Sequence, residues 1–133
     1  SATIEHVGSY NNQINFLKEC LRLSKNYVFI TTPNKYYPLD FHTKIPLIHW
    51  FPNKIHRKIL KLLGLNFYSL EKNLNLLSKN DIQNILKILK IDNYKILKMN
   101  FLLLCSNLIL IIKKMISTKF SVLENKHDKI KLK

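Results

Sequence analysis

Residues 30–52 read ITTPNKYYPLDFHTKIPLIHWFP, and this stretch decides the fold. An apolar strand, Tyr27-Val28-Phe29-Ile30-Thr31, runs here into a loop crowded with aromatics, histidines and prolines. The strand is β-branched and aromatic without polar alternation, the pattern of a strand covered on both faces in a parallel sheet. Pro33 ends it, because proline cannot donate to a ladder. Loops at the carboxyl ends of such strands are where open α/β sheets bind their ligands.

Working upstream, Ser1 to Val7 reads as the end of another strand, followed by Gly8-Ser9 as turn and helix cap. Tyr10, Ile14, Leu17 and Leu21 then recur at helical spacing, giving a helix through Leu23 with one face for a sheet. Downstream, Pro52-Asn53 starts a helix with the stripe Ile55, Ile59 and Leu62, closed by Gly64. Ser78 to Asp81 is an N-terminal capping pattern ahead of the stripe Ile82, Ile85, Leu86 and Leu89. Tyr94–Met99 and Leu104–Ile112 read as two strands, the second apolar enough to be central. The order strand, helix, strand, helices, antiparallel strand pair is an α/β pattern, the closing part of a Rossmann-like doubly wound sheet. Residues 1–113 form one partial domain, and 114–133 are expected to be a flexible lysine-rich tail.

The chain has 133 residues, 47% of them hydrophobic, enough for one core and too few for two domains. Its 22 Lys+Arg against 8 Asp+Glu give a net charge of +14. That balance points to nucleic acid or an anionic membrane surface. Only Arg22 and Arg57 are arginines, however, and guanidinium is the preferred reader of phosphates and base edges, so nucleic acid is disfavoured. Cys20 and Cys105 belong to no metal-spaced cluster and read as reduced core thiols. The start lacks a basic segment followed by an apolar run, so the expected compartment is the cytoplasm. The apolar run from Met99 to Ile112 is interrupted by Asn100, Ser106 and Asn107 and is shorter than the ~18 residues of a membrane span.

Ile4-Glu5-His6, Thr32-Pro33-Asn34 and the block Tyr36 to Trp50 together resemble the second half of a class I S-adenosylmethionine-dependent methyltransferase. Asn73-Leu74-Asn75-Leu76-Leu77 and Ser106-Asn107-Leu108 resemble later segments of a bacterial subgroup of that family. The resemblance implies S-adenosylmethionine as cofactor, Ser1 and Ala2 at the cofactor, and a small or lipid-like acceptor. The family's glycine-rich cofactor turn has no counterpart, since the glycines are Gly8 and Gly64 alone. The chain is therefore expected to be inactive by itself. Its expected partner is an N-terminal methyltransferase half, or a second copy joined through an exposed sheet edge. The competing expectation is a noncatalytic basic module that docks nucleic acid or an anionic membrane through lysines.

Methyl transfer from a sulfonium needs positioning and a base. Histidine is the side chain suited by type to act as that base near neutral pH, so His6, with Glu5 beside it, makes the expected catalytic pair. Tyr36, Tyr37, His42, His49 and Asn34 are expected at the acceptor, as aromatic surface with polar tips. Ubiquinone-biosynthesis O-methyltransferases hold a metal through Glu-x-x-Glu-His at this point. Here Ala2 replaces the first Glu, and since two ligands make a thin divalent site, no metal is expected.

Overall fold

The computed structural model describes residues 3–114. Helix α1 (Tyr10–Leu23) starts at Ser9, whose Oγ accepts the Asn12 amide, and buries Gln13 and Leu17. Strand β1 (Tyr27–Pro33) follows. Helices α2 (Asn53–Leu62) and α3 (Asn66–Ser69) fill the long connection to α4 (Lys79–Ile88). The α4 start is a full capping box: Ser78 Oγ accepts the Asp81 amide while the Asp81 carboxylate accepts the Ser78 amide. Strands β2 (Tyr94–Phe101) and β3 (Leu104–Lys113) close the chain as a hairpin.

The sheet has three strands in the order β1-β3-β2, with β3 central and antiparallel to both neighbours. The result is a mixed α/β domain. Ile4, Leu17, Val28, Ile30, Ile82, Ile85, Leu86, Leu108, Leu110 and Ile112 share one buried cluster, so α1 and α4 pack against the same sheet face. Tyr10 ties the two helices together, its hydroxyl donating to the Asp81 carbonyl.

Two expectations are corrected. The residues read as a first strand form instead a single 3-10 turn, Ile4–His6, while Ser1 and Ala2 lie outside the described residues, as does the tail from 115 onward. Strand β1 lies in an antiparallel ladder and is covered on one face only. Val28, Ile30 and Thr32 are buried, whereas Tyr27 and Phe29 on the opposite face stand exposed. An uninterrupted apolar run does not encode what covers its second face, and here no described element does.

The β2–β3 hairpin turns on Leu102 and Leu103, with Phe101 paired to Leu104. Both turn residues have positive φ, 48° and 69°, and both are exposed. Left-handed backbone disfavours branched side chains, and two-residue hairpin turns of this hand favour Asn-Gly. The double change Leu102→Asn/Leu103→Gly is therefore expected to raise unfolding stability by about 1–2 kcal/mol, read as a higher urea midpoint.

Candidate metal centre

The 3-10 turn Ile4–His6 sits where β1 ends, and three independent contacts fix it there. Gln13, fully buried on α1, donates from Nε2 to the carbonyls of Ile4 (3.1 Å) and Asn75 (2.8 Å). The Asn75 amide donates to the Glu5 carbonyl at 2.8 Å, and the Asn75 side chain reaches the Gly8 carbonyl. Gly8 has φ +96°, and a Cβ there would stand 3.2 Å from the side-chain Nδ2 of Asn12, so the turn needs its glycine. Thr32 at the end of β1 donates its hydroxyl to Glu5 Oε2 at 3.2 Å. A buried carboxylate is thereby aimed at the rim of the sheet.

His42 reaches that rim from the long loop. Asp40 organises the loop: its carboxylate accepts the His42 backbone amide, the Thr43 hydroxyl (2.8 Å) and His42 Nδ1 (3.2 Å). Burial alone would raise the Asp40 pKa, but these hydrogen bonds outweigh it and hold the carboxyl below its ordinary value. The bond to Asp40 raises the pKa of His42, against the opposing effect of its own burial.

The two imidazoles meet edge-wise, their planes inclined by 74° and their centroids 4.9 Å apart. His6 Nδ1 lies 2.6 Å from the Asn73 carbonyl, which can only accept, so Nδ1 carries the proton. His42 Nδ1 must donate to the Asp40 carboxylate for the same reason. Both rings then turn Nε2 inward, and these atoms stand 3.1 Å apart. Two facing lone pairs repel, so the arrangement requires a cation between or on the rings: a proton on one imidazole, or a metal ion ligated by both. Glu5 Oε1 lies 3.8 Å from His6 Nε2, and the ligand atoms of Glu5, His6 and His42 all fall within 4.8 Å of one another. Two nitrogens each about 2.1 Å from one ion stand about 3.0 Å apart at a right angle and about 3.4 Å at the tetrahedral angle, a range that includes the 3.1 Å of the imidazole pair. Histidines held at Nδ1 by a carboxylate and a carbonyl are the usual supporting arrangement for metal ligation through Nε2.

No protein-family model, no curated protein and no solved structure matches this chain. The site is therefore read from its own geometry. Glu5 and His6, the expected catalytic pair, are brought together, and His42, expected at the acceptor, joins them. Tyr36 is exposed beside this loop, its backbone amide donating to Asn34 Oδ1. The Asn34 side chain also bonds the Cys105 carbonyl, which makes it a turn-former tying β1 to β3. Tyr37 and His49 are buried. His49 Nε2 bonds the Tyr37 carbonyl at 2.7 Å, and Tyr37 stacks on Phe41. The cofactor contacts expected of Ser1 and Ala2 lie outside the described residues. Among the described residues, neither Gly8 nor Gly64 belongs to a glycine-rich turn between strand and helix. Asp40, Gln13, Asn73 and Asn75 hold the site, and the sequence reading assigned none of them a role.

A second histidine pair lies under the loop. Nδ1 of His49 and Nε2 of His56 are buried without a hydrogen-bond partner among the described residues. Burial depresses the His56 pKa; Asp40 opposes, and His49, Arg57 and Lys35 reinforce. Because the unfolded chain takes up this proton first, the stability present at neutral pH is lost as pH falls through the ordinary imidazole range. His56→Gln is expected to lose less stability than the parent between about pH 7 and pH 5, measured by urea midpoints at each pH.

Proposed function

We propose that Glu5, His6 and His42 form a divalent metal site at the acceptor side of a metal-assisted methyltransferase, acting on a small or lipid-like hydroxylated acceptor. The convergence of two Nε2 atoms, each ring locked at Nδ1, on a buried carboxylate carries this reading. Two histidines and one carboxylate suit Zn²⁺, Mn²⁺ or Fe²⁺ rather than Mg²⁺ or Ca²⁺, which prefer all-oxygen sites. A divalent ion held there would act as a Lewis acid, lowering the pKa of a coordinated hydroxyl. The chain's own residues supply the rest. Asp40 and the Asn73 carbonyl fix both imidazole tautomers, Thr32 holds one Glu5 oxygen, and the exposed Tyr36 and Phe41 rings border the loop that carries His42.

The methyltransferase part rests on the resemblance of Ile4-Glu5-His6 and of Thr32 to Trp50, supported by placement of the site where β1 ends. The strand order β1-β3-β2, with the outer two parallel to each other, is also compatible with the closing part of a Rossmann-like sheet. The described residues do not fit S-adenosylmethionine, so no step is assigned to it. A complementary segment covering the bare face around Tyr27 and Phe29 is the expected partner, and the chain alone is expected to lack transferase activity.

The test is calorimetric titration of the chain with Zn²⁺ and with S-adenosylmethionine separately. One equivalent of Zn²⁺ at micromolar affinity or better, with no micromolar binding of S-adenosylmethionine, is the expected pair of results. Absence of Zn²⁺ binding refutes the metal site, and micromolar S-adenosylmethionine binding refutes dependence on a complementary segment.

A further inference from the structure

Helix α2 has the predicted stripe Ile55, Ile59 and Leu62, but the stripe does not face the core. Ile55 is 46% exposed and Leu62 86%, Ile59 between them is half-buried, and the fully buried residue of the helix is Leu60. At 100° per residue the three stripe positions fall within about 60° of one another, with Leu60 on the far side. Lys54, Lys58 and Lys61 run along one flank of the stripe, all exposed, and Lys58 and Lys61 line a shallow hollow with Leu62. Trp50 and Phe51, each about half exposed, enter the helix from the preceding turn.

The charge around this helix has one sign. From residue 41 to residue 70 the sequence holds Lys44, Lys54, Arg57, Lys58 and Lys61 and no Asp or Glu. Arg57 is partly neutralised by Glu71 at 3.3 Å, and among the described residues none of the three lysines forms an ion pair. A narrow apolar stripe with a lysine flank and aromatics at one end is the composition of a helix that lies in the plane of a bilayer interface. Lysine stems extend along such a surface and keep their ammonium groups at the phosphates. A nucleic acid would instead set phosphates against Ile55 and Leu62, and a protein partner would need acidic groups around an apolar slot.

We infer that α2 docks on an anionic lipid surface, its Ile55–Ile59–Leu62 stripe entering the acyl boundary and Lys54, Lys58 and Lys61 contacting lipid phosphates. The inference stands without the metal site, but it places that site usefully. Helix α3 packs on α2, and its Tyr68 ring lies 6.3 Å from the His42 ring, so the docked helix pair borders the rim where a lipid-like acceptor would arrive.

The chain has a single tryptophan, Trp50, next to the docking helix, and its emission reports entry into the interface. The full chain is mixed with vesicles of phosphatidylcholine alone, or with about one quarter phosphatidylglycerol, in the presence of a chelator. Sedimentation with the anionic vesicles only, weakened by salt and accompanied by a blue shift of Trp50, is expected. Ile55→Ser/Leu62→Ser should weaken partitioning roughly tenfold or more and abolish the shift. Lys54→Gln/Lys58→Gln/Lys61→Gln should weaken it about fivefold per lysine, and it carries the test if the serine variant loses its helical circular dichroism. No sedimentation, sedimentation without a blue shift, unchanged partitioning of the folded variants, or equal affinity for a short DNA duplex would each overturn the inference.

Discussion

His42→Ala is expected to weaken Zn²⁺ binding at least a hundredfold while leaving the fold intact. Its imidazole is one of the three proposed ligands, and outer partners alone usually change metal affinity 10–100-fold, so loss of a ligand should cost more. The side chain is partly exposed at the loop surface, which limits the structural damage of truncation. Asp40→Asn provides the graded comparison. An amide at this position can still accept from Nδ1 but no longer supplies the charge that sets the tautomer, so a loss of about 10–100-fold is expected. Titration calorimetry with each variant reads both effects. Equal affinities in the parent and in His42→Ala would remove His42 from the site.

Gln13→Ala is expected to cost about 2–5 kcal/mol of stability and to weaken metal binding as well. The side chain is fully buried on α1 and bridges two carbonyls, one in the 3-10 turn and one at Asn75. Truncation leaves both carbonyls short of a donor and opens a cavity, two mechanisms that each cost a few kcal/mol. Because the same bridge holds Glu5 and His6 in place, Gln13 acts as a positioning residue for the rim. Leu86→Ala separates the two roles. Leu86 is completely buried on α4 and absent from the site, so its truncation should destabilise by a similar 2–5 kcal/mol while leaving the Zn²⁺ affinity of the folded fraction unchanged. Equal metal affinities in Gln13→Ala and Leu86→Ala would reduce Gln13 to a core residue.

Local signals in the sequence were sufficient for most elements. The spacing of Tyr10, Ile14, Leu17 and Leu21 gave α1, the Ser78-to-Asp81 pattern gave the α4 cap, and the apolar density of Leu104–Ile112 placed β3 in the middle of the sheet. What periodicity leaves open is what lies opposite an apolar surface. Ile82 and Ile85 form a stripe that is buried, whereas Ile55 and Leu62, part of a stripe of the same kind, face outward. Strand β1 was read as two-sided for the same reason, and Phe29 is exposed.

The site was half legible. Glu5 and His6 were legible as an adjacent catalytic pair with no metal expected, but His42 arrives beside them from a loop 36 residues away, and no spacing rule links it to His6. A local signal did exist in Asp40-Phe41-His42-Thr43, where a carboxylate followed by a hydroxyl residue three positions on favours a side-chain-braced turn. It marks a fixed loop, and so a fixed histidine. Tyr37 and His49 went the other way: both are buried, with the Tyr37 hydroxyl donating to the Phe101 carbonyl of β2 and His49 Nε2 bonded to the Tyr37 carbonyl, a burial that composition alone does not reveal.

The account turns on two imidazoles and one carboxylate sharing a single cation at the rim of the sheet. X-ray absorption on the chain loaded with one equivalent of Zn²⁺ measures this directly. Scattering from two imidazole rings with oxygen completing the shell, reduced to one ring in His42→Ala, is the predicted spectrum. A shell containing cysteine sulfur, or one unchanged by the loss of His42, would contradict it.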